Sequence, residues 1–299
     1  MQVAITGASG LIGRALTSSL QADGHTVRPL VRRPSDDPGA VHWDPAAGTI
    51  DAAALDGVDA VVNLAGAGIG DKRWSEDRKR ELHDSRTRST DLLARTLGNL
   101  ARPPAVLLSG SAIGFYGSRG DDVLTEVSAP GDDFLAGLVA DWEGAAAPAV
   151  DSGIRTAWLR SGLVLAGHGG ILPRMALPFR FFAGGRLGSG KQWMSWITLD
   201  DEVGAIRFLL DRADISGPVN LVAPEPVTNA ELAKALGAAL HRPAAIPVPA
   251  FGPRLLLGRE MADGLLFGSQ RVRPDVLVHA GYGYAHTEIA PALRAVLGR

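Results

Sequence analysis

The stretch Val3-Ala4-Ile5-Thr6-Gly7-Ala8-Ser9-Gly10-Leu11-Ile12-Gly13 decides how the rest of the chain is read. A short apolar strand runs into three glycines spaced three apart and then into a helix. Each glycine meets a separate physical demand. Gly7 permits the tight turn off the strand, Gly10 lets the backbone approach a pyrophosphate, and Gly13 lets the helix pack closely. The start of that helix presents backbone N–H groups and the positive end of its dipole to an anion. Leu11, Ile12, Ala15, Leu16 and Leu20 recur at helical spacing up to Asp23, and Gly24 caps the helix. Thr6, Gly7, Ser9, Gly10, Leu11, Ile12 and Gly13 are therefore expected around a dinucleotide.

The pattern continues outward. Val27 to Val31 reads as the second strand, with Arg28, Arg32 and Arg33 around its end, before Pro34. In NAD-binding units an acidic residue here holds the ribose 2′-hydroxyl. The nearest acid in this chain is Asp36, beyond the strand. Arginine in its place pairs with a 2′-phosphate, so Arg32 and Arg33 predict NADP rather than NAD. A solvated surface pair is the alternative reading. Val41 to Trp43 is a short strand. Asp59 to Gly66 is a buried strand ending in small residues, and Leu64, Ala65 and Gly66 should border the adenine ribose and pyrophosphate. Trp74 to Leu100 is helical, with Leu82, Leu92, Leu93, Leu97 and Leu100 inward and the charges from Glu76 to Glu81 as a solvated face. Pro103-Pro104 stops it. Ala105 to Ser109 is a strand and Asp132 to Ala147 a helix. Thr156 to Leu165 is a strand interrupted by Arg160-Ser161-Gly162. This alternation predicts an α/β fold with a right-handed, doubly wound parallel sheet of Rossmann type.

After Ala166 the texture changes. Gly167 to Gly190 is rich in glycine and proline, and Lys191 to Ile197 in large side chains. Helices are expected from Asp201 to Leu210, from a Thr228 N-cap to Leu240, and from Ile289 to Leu297. Val219 to Val222 reads as a strand and Pro243 to Pro253 as extended. We therefore divide the chain into a dinucleotide-binding domain, 1–165, and a smaller C-terminal α/β lobe, 166–299, closing over the sheet's carboxyl edge.

Composition narrows the function classes. The 299 residues are 46% hydrophobic and 21% charged, with a formal net charge of −2. That balance offers no basic footprint for nucleic acid. No apolar run reaches the ~18 residues of a membrane span, and a strand at the N-terminus leaves no room for a signal peptide. The absence of cysteine removes disulfides, thiolate catalysis and thiolate-bound zinc, and fits a cytoplasmic protein. The seven histidines show no metal-ligand spacing. No Gly-x-Ser-x-Gly elbow is present for hydrolase chemistry. The expectation is a monomer or homodimer that takes a small-molecule substrate, with no metal, nucleic-acid or membrane partner.

Several of these motifs resemble a family. Thr6 to Gly13 resembles the glycine motif of the extended short-chain dehydrogenase/reductases, and Ser109-Gly110-Ser111…Phe115-Tyr116-Gly117 their serine-bearing loop. Trp196 to Asp201 is similar to a segment of nucleotide-sugar epimerases. Asn63-Leu64-Ala65-Gly66, Arg73-Trp74, Leu159 to Leu165 and Gly188-Ser189-Gly190-Lys191-Gln192 resemble the narrower, atypical epimerase-like branch. The resemblance covers essentially the whole chain. It implies NADP binding, with Arg73, Ser109, Arg160 and Gly162 near the cofactor.

One departure matters. The superfamily's usual acid is a tyrosine with a lysine four residues later, which lowers the phenol pKa. The three tyrosines, Tyr116, Tyr282 and Tyr284, are followed at that distance by Gly120, His286 and Glu288. Laid on the Phe134-to-Glu143 helix, the pattern falls on Leu135 and Val139, which carry no titratable proton. The candidates left for chemistry are Ser111, Tyr116 and Lys191. Each has a plainer reading as a turn serine, a packing aromatic or a solvated lysine. Two functions follow: an NADP-dependent oxidoreductase or epimerase-like enzyme acting on a small polar substrate, or a catalytically silent NADP(H)-binding sensor.

Overall fold

The first strand shows how the core is layered. In β1 (Gln2–Thr6), Val3 and Ile5 enter one apolar cluster and Ala4 the other, as the two-residue side-chain period requires. Both faces of the sheet are covered, so its central strands are apolar almost throughout. The computed structural model describes residues 1–298.

The other strands of the main sheet are β2 (Thr26–Val31), β3 (Val41–Asp44), β4 (Thr49–Ile50), β5 (Ala60–Asn63), β6 (Val106–Ala112), β7 (Arg155–Ser161) and, after the short strands β8 (Leu163–Ala166) and β9 (Trp196–Thr198), β10 (Gly217–Leu221). The eight strands lie in the order β10-β7-β6-β5-β1-β2-β3-β4. All neighbours are parallel except β3 and β4. Strand order reverses between β1 and β5, and ligands of such sheets bind in the crevice outside the carboxyl ends at that point.

Helices α1 (Leu11–Ala22) and, from later in the chain, α5 (Leu199–Asp211) cover one face; Leu16, Leu20, Ile206 and Leu209 are buried there. Helices α2 (Glu76–Gly98) and α3 (Phe134–Gly144) lie on the other side. A third apolar cluster joins α4 (Leu172–Arg180), α6 (Asn229–Leu240) and α8 (Ile289–Val296) around Trp196.

Three expectations change. The cut after residue 165 does not respect the sheet, because β10 returns to pair with β7; the last residue of the expected lobe, Arg299, lies outside the described residues. The tract expected to be extended as far as Pro253 turns helical at Phe251, where α7 (Phe251–Leu257) begins. Arg78, in the run read as solvated, is buried, because its guanidinium donates to Gly68 O and pairs with Glu81 at 2.7 Å. It ties the loop after β5 to α2.

Candidate functional site

The glycine turn has the geometry its sequence demands. Gly7 sits at φ +66°, and a Cβ there would lie 2.5 Å from Leu64 O. A Cβ on Gly13 would lie 2.2 Å from Gly7 O, so the third glycine packs the helix on the turn itself. Gly10 N donates to Gly7 O at 2.9 Å. Gly10 is also the N-cap of α1 and supplies no side-chain cap. Arg14 Nη1 donates to Ser9 O at 2.7 Å and steadies the turn. Leu11 is covered from the segment after β8, where Cβ atoms on Gly169 and Gly170 would meet it at 2.9 and 3.0 Å.

The turn after β5 is pinned from below. Thr6 Oγ1 donates to Asn63 Oδ1 at 2.7 Å and accepts from the Leu64 and Ala65 amides at 2.9 and 3.0 Å. Asn63 Nδ2 donates to Thr90 at 2.8 Å and, more weakly, to Ser109 Oγ at 3.4 Å. Thr6 and Ser109 are therefore buried supports that aim the Leu64–Gly66 backbone. Beside Gly66 stands Arg86. Its guanidinium donates to Leu82 O and Ala67 O and lies 5.1 Å over the Trp142 ring. Burial, with the charge of Arg78, pushes its pKa down to about 10. Sequence reasoning missed it inside a run of helical charges.

The residues present fit a dinucleotide. Three Cβ-free positions form the cradle, the first-turn amides of α1 have no side-chain competitor, and Arg32 and Arg33 are exposed at the end of β2. Arg28, by contrast, is turned away, donating to Ala54 O at 2.6 Å.

The end of the crevice expected to hold the chemistry is built differently. Ser111 Oγ donates to Glu143 Oε1 at 2.6 Å, and Glu143 takes a bidentate pair from Arg160 with both bonds at 2.8 Å. Arg160 Nη1 donates to the Tyr116 hydroxyl at 3.0 Å, and that hydroxyl donates to Asn220 Oδ1 at 2.7 Å. Tyr116 is fully buried. Burial pushes its phenol above its ordinary pKa, against the opposing charge of Arg160. The Arg160 plane also stacks on Phe115, 3.6 Å from the ring centre. Tyr116 is thus a core residue rather than a relocated acid. Arg160 is spent inside the same network instead of reaching toward a cofactor phosphate. Glu143, the hub, was not singled out from sequence, since one acid on an apolar helix carries no signal of its partners.

Of the remaining candidates, Gly162 serves packing: a Cβ would lie 2.7 Å from Ser195 O. Arg73 Nη2 donates to Leu255 O at 3.0 Å, away from the glycine turn. Trp74 donates to Ile69 O at 3.0 Å and meets Phe134 edge-on at 5.1 Å. Cβ atoms on Gly114 and Gly264 would touch Leu135 at 3.5 and 3.4 Å, so an apolar wall stands where a phenol and ammonium are usual. Lys191 is exposed on the loop whose Gly188 lies against Phe267.

The pattern of the NAD dependent epimerase/dehydratase family matches residues 3–221, and that of a domain of unknown function (DUF1731) matches residues 248–296. An epimerase family protein of Mycobacterium bovis is 45% identical over 291 residues, covering 97% of this chain and 96% of the relative. A homologue from Arabidopsis thaliana, described as chloroplastic, is 39% identical over 99% of this chain and 87% of its own length. The crystal structure of the human epimerase family protein SDR39U1 with NADPH superposes with a TM-score of 0.92 at 38% identity, covering both chains fully. This chain belongs to the NAD-dependent epimerase/dehydratase family, in its atypical short-chain dehydrogenase/reductase branch.

Proposed function

We infer that the protein is an NADP(H)-dependent oxidoreductase whose small substrate must bring, or draw from water, the proton that a phenol usually supplies in the wider superfamily. The observation that carries this reading is the pairing of an open nucleotide cradle with a sealed proton-donor position. Gly7, Gly10, Gly13 and the α1 amides hold the pyrophosphate, Leu64 to Gly66 border it, and Arg32 with Arg33 take the 2′-phosphate. The bound cofactor supplies or accepts the hydride. Trp74 and Leu135 keep water from the reacting face. Ser111 polarises a substrate oxygen after leaving Glu143, and the exposed Lys191 offers charge to an anionic substrate group. The NADPH-bound human relative supports the choice of cofactor, and the lack of cysteine suits the reducing cytoplasm.

The silent-sensor reading is favoured by a specific observation: Ser111 and Tyr116 already have protein partners. One experiment separates the two. NADPH oxidation is followed with a panel of enones and activated carbonyls, then repeated with Ser111→Ala and Lys191→Ala. Turnover that one substitution lowers about a hundredfold, within the ~10²–10⁴-fold range of a proton-handling group, with NADPH binding unchanged, supports the enzyme. Tight NADPH binding without oxidation of any panel member supports the sensor.

A further inference from the structure

The second lobe exposes an unusual surface. Phe181, Phe182, Ile246, Phe251, Leu255 and Leu256 are between 52% and 78% exposed. Helix α7 has no buried residue at all. The turn after Phe181-Phe182 pairs along its backbone with the segment that carries Ile246 and leads into α7. Ile246 N donates to Gly184 O at 3.2 Å, and Val248 N to Arg186 O at 2.9 Å. The Arg242 guanidinium lies 4.7 Å over the Phe182 ring. One loop braces both sides of the face: Arg174 of α4 reaches Gly70 O, and Arg73 reaches Leu255 O in α7.

The charge on this face is in positive excess. The chain as a whole is slightly acidic, yet no Asp or Glu occurs from residue 152 to 199 or from 232 to 259. Within those segments Arg174 pairs with Asp71 at 3.8 Å and Arg254 with Asp263 at 2.7 Å, which leaves Arg180, Arg186, Lys191 and Arg242 without a carboxylate partner among the described residues. Six large apolar side chains exposed on neighbouring segments and flanked by cations differ from the scattered apolar residues of an ordinary surface. A two-fold dimer through the same face would oppose each arginine to its own copy or a near neighbour. A protein partner would normally receive such aromatic anchors in pockets, whereas these protrude. Cations around protruding Phe and Leu side chains match the boundary between headgroups and acyl chains of an anionic bilayer.

We propose that this face seats the protein on an anionic lipid surface, with Phe251, Leu255 and Leu256 in the headgroup boundary and Arg180 and Arg242 on lipid phosphates. Among the described residues no helix is long and apolar enough to cross a membrane, so the protein lies on the surface without spanning it. The crevice between β1 and β5 stays on the same molecule, and its nucleotide site is not part of the contact.

The test is flotation of the full chain, loaded with NADPH, on vesicles of phosphatidylcholine alone and of phosphatidylcholine mixed with phosphatidylglycerol. Binding is expected only to the mixed vesicles and should fall with added salt. Arg180→Ala with Arg242→Ala should weaken partitioning about fivefold per charge removed. Phe251→Ser with Leu255→Ser should abolish it. Both double variants should keep wild-type NADPH affinity, which shows that they fold. Equal binding to both vesicle types, no binding to either, or binding indifferent to both variants overturns the proposal. So does a dimer in sedimentation velocity that the Phe251→Ser, Leu255→Ser variant dissolves, since a second copy would then own the face.

Discussion

The two ends of the crevice are built on opposite plans. At the glycine end, polar groups are left open. Helices α2, α3, α5 and α6 carry side-chain caps from Ser75, Asp133, Thr198 and Thr228; α1 begins at an uncapped glycine, and α4, α7 and α8 also lack a side-chain cap. Arg32 and Arg33 stand exposed nearby. At the other end Ser111, Glu143, Arg160, Tyr116 and Asn220 satisfy one another, while Oε2 of the neighbouring buried Glu126 has no hydrogen-bond partner among the described residues. Open groups mark where a ligand completes the hydrogen bonding, and closed groups mark where the fold has already done so. The same residue types thus act as binding site or as core according to their partners.

Breaking the closed end should have the largest effect. Glu143→Ala leaves the Arg160 guanidinium and the Ser111 hydroxyl buried without their acceptor, since the pair is nearly inaccessible. Removing one partner of a buried ion pair costs about 3–5 kcal/mol. Urea denaturation should show that loss, while NADPH affinity changes little in the protein that remains folded. A stability within about 0.5 kcal/mol of wild type, the range of ordinary surface substitutions, would mean the network is not closed.

Breaking the open end should act on binding instead. Gly10 has φ −74°, which valine adopts freely, so Gly10→Val should fold. Its Cβ would stand 3.1 Å from Gly7 O and its methyls would fill the pyrophosphate's space. A fall in NADPH affinity of about a hundredfold, two tenfold steps of ~1.4 kcal/mol each, is expected by fluorescence titration. Arg32→Ala is the finer cut. Loss of a charged partner for the 2′-phosphate should cost about 1.5–3 kcal/mol toward NADPH and leave NADH untouched. An unchanged NADPH titration would transfer the role to Arg33.

The contrast also explains what the sequence disclosed. The glycine turn was legible because its function lies in local backbone geometry, and three residues at fixed spacing report it. The parallel sheet was legible for a similar reason, since Val61-Val62 and Leu107-Leu108 bury both faces of their strands. The closed end was not. Tyr116 looked like a loop aromatic beside the crevice, but its partner Asn220 lies 104 residues away, and Glu143 and Arg160 are 17 apart on different elements. Nothing local distinguishes a buried, satisfied tyrosine from a catalytic one. The return of β10 to the main sheet was hidden likewise, because pairing with β7 across the intervening elements leaves no mark in either strand.

A pH-dependent effect sharpens the comparison from beneath β7. There Glu202 is fully buried, and Ser161 Oγ donates to its Oε1 at 2.5 Å. Its Oε2 and the nearby Tyr284 hydroxyl have no hydrogen-bond partner among the described residues. Burial outweighs the serine's bond and pushes the carboxyl up from 4.5 to about 8. The folded state therefore holds a proton that the unfolded chain releases at lower pH. Its contribution to stability is complete below the unfolded pKa and is lost as pH rises through the folded one, with a slope of at most ~1.4 kcal/mol per pH unit. Glu202→Gln keeps the side chain uncharged throughout. Between about pH 6 and pH 9 the wild-type melting temperature should fall relative to that of the variant. Parallel curves would show that the Glu202 carboxylate already ionises at its ordinary pH, and that the closed construction stops at Arg160 and Glu143.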